Sequence, residues 1–225
     1  MKRITVLLAE DHQIVREGFR LLLKHERGIE VIGEAETGRE AVQLTRKLRP
    51  AVVVMDIAMP LLNGLEATRQ IRRDFPDTRV LILSAHGDDA YVEQVTELGA
   101  AGFLLKQTSS HNLATAIREV QKGNTFFSPA ISKRLSGRDQ KSLARMGQLK
   151  KRNNQLSSRE VEVLQLVAEG KPNKQVAAEL GVSFKTVDKH RQHLMSKLDI
   201  HDIAGLTRYA ISAGIIESSV QLTIL

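Results

Sequence analysis

Cysteine and tryptophan are both missing from this 225-residue chain, and aromatic residues make up only 4% of it. Without cysteine there are no disulfides, thiolate zinc sites, iron–sulfur clusters or cysteine nucleophiles. No run approaches the roughly 18 apolar residues of a membrane span. The Met-Lys-Arg start leads straight into ITVLLA, which reads as a strand and not as a signal peptide. A cytoplasmic protein with no membrane partner is expected. G-x-G-x-x-G, G-x-S-x-G and H-E-x-x-H are also lacking. Gly28 and Gly33 have the gap of a phosphate-binding loop, but the Lys and Ser/Thr that would follow are absent. His190, His193 and His201 lie close in sequence without a thiolate or carboxylate trio, so surface and core roles suit them better than a metal.

What is present is an uneven charge. The net +7 is a property of the second half, since residues 1–125 hold 17 basic and 17 acidic side chains. Residues 126–155 carry 8 basic residues against Asp139 alone, whereas 156–225 balance 8 against 8. Two domains joined by a basic linker are expected, with boundaries 1–122, 123–154 and 155–225. Lys141, Arg145, Lys150, Lys151 and Arg152 in the linker suit either a salt-sensitive grip on nucleic-acid phosphates or docking on acidic groups of the first domain.

The first 122 residues alternate strand-like and helix-like stretches. Strands are expected at Ile4–Ala9, Glu30–Ala35, Ala51–Met55, Arg79–Leu83 and Ala101–Leu105, with helices near 13–25, 38–48, 64–74, 88–98 and 109–122. Val52-Val53-Val54-Met55 is apolar without alternation, as a parallel strand buried on both faces would be. Strict alternation predicts a doubly wound, five-stranded parallel sheet. Ligands of such sheets bind beyond the carboxyl ends of the strands. There the first strand runs into Glu10 and Asp11, the third into Asp56, the fourth into Ser84 and the fifth into Lys106. Crowded carboxylates resist ionising unless a cation intervenes, and one or two carboxylates plus phosphate oxygens is a Mg2+ preference. Asp56 would then be a nucleophile forming an aspartyl phosphate, with Lys106 and Ser84 holding the transferred oxygens. Solubilising strand ends are the bland alternative, and four polar ends with Met59-Pro60 and Asn63-Gly64 turning the chain weigh against it.

LLAED, VVMDIAMP…NG, LSAH and GAAGFLLK resemble the receiver domains of two-component response regulators, of flavodoxin-like fold. The resemblance implies that Asp56 is the phosphoacceptor, that Glu10 and Asp11 bind Mg2+ with it, and that the backbone carbonyl of Ala58 completes the shell. It makes Ser84 the switch hydroxyl, Lys106 the lysine of the site, and Phe103 the switch aromatic that turns inward as the hydroxyl moves to phosphate; plain core packing also suits Phe103. Ala58 and His86 occupy positions that influence phosphate lifetime, and Gln107 stands where many receivers have proline.

From Leu156 the pattern becomes short capped helices. Ser157 and Glu160 form an S-x-x-E capping box, with Leu156 and Val161 placed as a hydrophobic staple. Val161, Leu164 and Val167 mark an apolar face up to Gly170, and Asn173–Leu180 turns Val176, Ala177 and Leu180 inward before Gly181. Ser183 caps a third helix, with Val187, Leu194 and Leu198 on one stripe and Lys185, Asp188, Lys189, Gln192 and Ser196 on the other. A last helix near 202–213 points Ile203, Leu206 and Ala210 inward. Helix, glycine turn, helix is the helix-turn-helix arrangement, and Lys, Gln and Asp on its reading face suit base edges of the major groove.

Residues 156–200 resemble the LuxR-type helix-turn-helix of NarL/FixJ-family response regulators. The resemblance implies a recognition helix at 183–197, with Lys174 and Lys197 on phosphates. Asp188 departs from the Lys or Arg often found there, and suits a base better than the backbone. The whole resemblance implies a transcription regulator, not an enzyme beyond its own phosphotransfer and slow self-dephosphorylation. Its partners would be a sensor histidine kinase and a palindromic double-stranded operator, bound as a homodimer in which the last helix pairs with its twin; a simple core role suits that helix equally. The rival reading is a phosphorylation-independent DNA-binding regulator whose first domain serves only for protein interaction.

Overall fold

A computed structural model describes residues 3–85, 89–107, 110–128 and 156–216. The chain divides into two compact units, Met1–Gln140 and Lys141–Leu225.

In the first unit strands and helices alternate as β1 (Ile4–Ala9), α1 (Gln13–Lys24), β2 (Ile29–Ala35), α2 (Gly38–Leu48), β3 (Val52–Asp56), α3 (Gly64–Asp74), β4 (Arg79–Ser84), α4 (Asp89–Glu97), β5 (Gly102–Leu105), α5 (Ser110–Gln121) and β6 (Phe126–Phe127). The sheet is parallel throughout and ordered β2-β1-β3-β4-β5-β6. It therefore has six strands where the sequence predicts five. A two-residue strand is too short for a periodicity to register, and Gly102 makes its pairing possible. A Cβ on Gly102 would lie 2.4 Å from the carbonyl oxygen of Phe126.

β3 is buried along its whole length, and the period-two alternation of strand side chains divides the core into two layers. Leu7, Ala9, Val53, Met55, Ile82 and Phe103 fill one, against α2, α3 and α4; Val6, Leu8, Val52, Val54, Leu81 and Leu104 fill the other, which includes the inner face of α5. Helix starts are locally specified. Thr37 accepts from Glu40 N at 3.1 Å, and Asn63 from Glu66 N at 2.9 Å, each relieving an orphan amide of a first turn. α2 ends on Arg49 in the left-handed region (φ 49°) just before Pro50, and the Arg49 guanidinium lies 4.5 Å over the Phe75 ring.

The second unit comprises α6 (Ser158–Ala168), α7 (Asn173–Leu180), α8 (Phe184–Leu198) and α9 (Ile203–Ser212). Ser157 and Glu160 make both bonds of the capping box. Gly181 closes α7 at φ 61°, Ser183 accepts from Thr186 N to open α8, and Asp202 accepts from Gly205 N to open α9. The core departs from the expected stripes at three places. Val163 and Val167 are the buried valines of α6 and Val161 is only half-buried, since that helix is packed by both α8 and α9 and buries more than one stripe. Leu198 is only half-buried. Ile203 is 55% exposed at the first turn of α9, leaving Leu206 and Ala210 to anchor the helix.

Candidate functional site

The carboxyl edge of the parallel sheet gathers the polar strand ends. Glu10, Asp11, His12 and Asp56 each present a ligand atom within 4.8 Å of the others. Lys106 Nζ enters from the end of β5 and lies 2.8 Å from Glu10 Oε2 and 2.9 Å from Asp56 Oδ2. The amide of Ile57 donates to Asp56 Oδ1 at 2.8 Å. Ser84 is buried, and its carbonyl accepts from the Lys106 amide at 2.8 Å, so the ends of β4 and β5 are tied together at the site.

Burial and the neighbouring Glu10 charge push the Asp56 carboxyl up to about 7, against the partial relief of Lys106. Burial pulls Lys106 down, but the Asp56 and Glu10 carboxylates outweigh it and hold the ammonium above its ordinary value. One cation thus serves two buried carboxylates and leaves the pocket short of positive charge. Glu10 Oε2, Asp11 Oδ1 and Asp56 Oδ2 are buried oxygens that accept no well-aligned hydrogen bond. A hard divalent cation with oxygen ligands fits this donor set.

Three supporting features had little or no sequence signal. Arg16, its side chain 8% exposed, donates from Nη1 to the Glu10 carbonyl at 2.7 Å and from Nη2 to Glu36 at 2.6 Å, clamping the loop after β1 from beneath. His12 Nδ1 stands 2.8 Å from Asp11 Oδ1. Gly64 packs against the loop that follows Asp56. Its amide donates to the Ile57 carbonyl at 2.8 Å, and a Cβ there would lie 1.8 Å from the Asp56 carbonyl oxygen. Asn63-Gly64 was legible as a turn, but its closeness to Asp56 was not. Ala58 sits half-buried in the same loop. Phe103 is fully buried beneath the site, while His86 lies outside the described residues.

In the second unit Lys174, Lys185, Lys189, Gln192 and Lys197 are exposed, and Asp188 is half-buried. Gln192 Nε2 donates to Asp188 Oδ2 at 3.1 Å. Arg191 turns the other way, donating to Asn173 Oδ1 at 2.6 Å and linking α8 to the start of α7. Lys197 Nζ lies 2.7 Å from Glu160 Oε2, the same oxygen that accepts from Ser157 N and Oγ. Burial raises Glu160, but Lys197 and the Ser157 bonds outweigh it and hold the carboxyl below its ordinary value. Lys197 thus fastens α8 to the cap of α6. The linker cations Lys141, Arg145, Lys150, Lys151 and Arg152 lie outside the described residues.

Residues 6–118 match the model of the response regulator receiver domain, and 154–210 that of bacterial regulatory proteins of the luxR family. The chain belongs to the two-component response regulators of the LuxR type. This regulator is 39% identical over 207 residues to the transcriptional regulatory protein LiaR of Bacillus subtilis, covering 92% of this chain and 96% of that one. Among solved structures it resembles the receiver domain of the response regulator NarL from Mycobacterium tuberculosis, at 34% identity and TM-score 0.54 over 55% of this chain and all of that one. It also resembles RcsB, solved as two dimers bound to two parallel DNAs, at 28% identity and TM-score 0.58 over 94% of this chain and 99% of that one. The response regulator is accordingly a phosphorylation-controlled transcription regulator, with a receiver and a DNA-binding domain. Among its described residues no helix is long and apolar enough to cross a membrane.

Proposed function

We propose that Asp56 accepts a phosphoryl group from the phosphohistidine of a sensor histidine kinase, and that this controls dimerisation and DNA binding by the second unit. The N–P bond of the donor breaks, an Asp56 Oδ–P bond forms, and the departing imidazole takes up a proton. The observation that carries this reading is the buried Asp56 sharing Lys106 with Glu10 at 2.9 and 2.8 Å. Glu10, Asp11 and Asp56, with the Ala58 carbonyl, would hold Mg2+. That ion supplies positive charge that favours the ionised Asp56 and screens the incoming phosphoryl oxygens. Lys106 then exchanges part of its contact with Asp56 for a phosphoryl oxygen, a charge-assisted bond. The Ser84 hydroxyl donates to another, and Phe103 packs behind it as the inward state is favoured.

The fold supports a route outward. β6 is hydrogen-bonded to β5, the strand of Phe103, and Ser128 N donates to the Phe103 carbonyl at 3.2 Å. The receiver is therefore taken to run through Ser128 before the basic linker begins. A population shift toward the phosphorylated arrangement then biases dimers that bind a two-fold operator, in the cytoplasm. Lys174, Lys185 and Lys189 are the exposed cations suited to backbone phosphates, with Asp188 and Gln192 suited to bases. Lys197 is committed to Glu160 in this arrangement, and a phosphate contact would require it to leave that bond.

Acetyl phosphate with Mg2+ tests the proposal through a mobility shift on phosphate-affinity gels and footprinting on genomic fragments. Wild type is expected to shift and to gain footprints; Asp56→Asn and EDTA-treated protein should do neither. Equal footprints from treated and untreated wild type would instead establish the phosphorylation-independent reading.

A further inference from the structure

α8 offers the solvent an unusual pair. Lys185, Asp188, Lys189 and Gln192 follow one another at i, i+3, i+4 and i+7, away from the buried Val187 and Leu194. Asp188 is the one anion among these cations and amides, and it is bonded to Gln192 by the 3.1 Å contact between Nε2 and Oδ2. Among the described residues neither Lys185 nor Lys189 is drawn into an ion pair with it. The lysines remain available to phosphates, and the carboxylate stays uncompensated on the reading face.

The donor and acceptor inventory decides what such a pair can meet. A carboxylate only accepts, and a carboxamide has one acceptor oxygen and two N–H donors. Donation of one N–H to Asp188 restrains the rotation of the amide and leaves Gln192 one further N–H and its acceptor Oε1. In the major groove guanine presents two acceptors and thymine one acceptor and a methyl, whereas adenine and cytosine present exocyclic amino groups. Guanine O6 and N7 facing the Asp188 carboxylate would leave acceptors opposed to an anion with no proton between them. Residues four apart advance about 6 Å along the helix, so the pair spans about two base steps of roughly 3.4 Å.

We propose that Asp188 and Gln192 act as a single reading unit that selects a base presenting an exocyclic amino group in the major groove, adenine or cytosine, and rejects guanine on the strand they face. The inference rests on the reading of α8 as the recognition helix. Asp188 is a specificity determinant in this scheme: it contributes by excluding keto bases as much as by binding amino ones.

Selection of binding sites from a random-sequence duplex library tests it, using the full chain treated with acetyl phosphate and Mg2+. Wild type should enrich adenine or cytosine at one half-site position. Replacing that base by the same ring without its amino group should weaken binding about 5–150-fold, the span of one base contact. Asp188→Asn should relax the preference, and Asp188→Lys should move it toward guanine. If both variants select the wild-type sequence and differ only in the salt dependence of binding, Asp188 is merely a charge and the inference falls. Should wild type enrich no sequence at all, the recognition-helix reading falls first and takes this one with it. Unchanged far-ultraviolet circular dichroism of the variants separates loss of reading from loss of fold.

Discussion

The charge shortage around Asp56 has a thermodynamic consequence that can be measured without a kinase. In the unfolded chain the carboxyl titrates near 3.8, and in the folded protein burial, with Glu10 beside it, lifts it to about 7. Between those values the folded state binds more protons than the unfolded one, so stability falls as pH rises through the window. The slope approaches about 1.4 kcal/mol per pH unit, and the full cost of ionising the side chain above pH 7 is about 4 kcal/mol. At pH 4 most of that cost is absent, about 0.5 kcal/mol remaining. Asp56→Asn keeps the shape and the neutral state at every pH. The variant is therefore expected to be about 2–4 kcal/mol more stable than wild type at pH 8 and nearly equal to it at pH 4. Urea unfolding of both proteins from pH 4 to 8.5 in EDTA measures the difference. Adding Mg2+ should stabilise wild type and shrink the gap at pH 8, because an ion bound only by the folded carboxylates shifts unfolding by mass action. A gap that stays constant with pH, or an Asn variant that is the weaker protein at pH 8, refutes the account of Asp56 as an unwillingly ionised group.

Other expectations follow from single contacts. Gly64→Ala would place a carbon 1.8 Å from the Asp56 carbonyl oxygen, and reaching an ordinary C···O separation of about 3.3 Å needs a shift of about 1.5 Å. Overpacking of that kind costs about 1–3 kcal/mol, a melting temperature lower by about 5–15 °C, and the moved loop should slow labelling by acetyl phosphate at least about 100-fold; a variant that melts and labels like wild type contradicts the close packing. Lys197→Met removes the charged donor to a Glu160 oxygen that is buried, and the second unit should lose about 1–3 kcal/mol near neutral pH. The Glu160 carboxyl is held below its ordinary value, so its contribution is present above the unfolded value and vanishes as pH falls through the folded one. The Met variant's deficit should therefore narrow in acid, and unfolding curves at pH 7 and pH 3.5 will show whether it does.

Most of the sheet was readable because most of its strands are short apolar runs ending in a polar residue, and the helices of the second unit because Ser157 and Ser183 stand as caps in the sequence. Thr37, Asn63, Ser157, Ser183 and Asp202 all cap by accepting a first-turn amide. The convergence of Glu10, Asp11, Asp56 and Lys106 on one edge was readable too, since parallel strands deliver their carboxyl ends to the same side. What escaped needs registers that only the folded chain supplies. Phe126 and Phe127 are a strand solely because Gly102 lets Phe126 come close. Arg16 looks like the polar face of an amphipathic helix until β2 brings Glu34 and Glu36 alongside it. Lys197 resembles any exposed lysine on the polar face of a helix, and its partner Glu160 is 37 residues away in sequence. Ile203 has the helical spacing of a core residue, yet periodicity cannot tell an inward apolar side chain from an outward one at a helix end.

The two-residue strand at Phe126–Phe127 also decides where this protein can be cut. Ending the first domain after residue 122 would strip the outer side of β5 and leave the Ala101 and Phe103 carbonyls without the amides of Phe126 and Ser128 that now donate to them. A bare parallel edge beside an apolar strand is a template for pairing with another chain. A fragment that stops at 122 should therefore self-associate through β5, and its oligomers would be an artefact of the cut. A fragment ending after Ser128 keeps the edge covered and is the form in which the isolated domain can be asked whether it dimerises on phosphorylation.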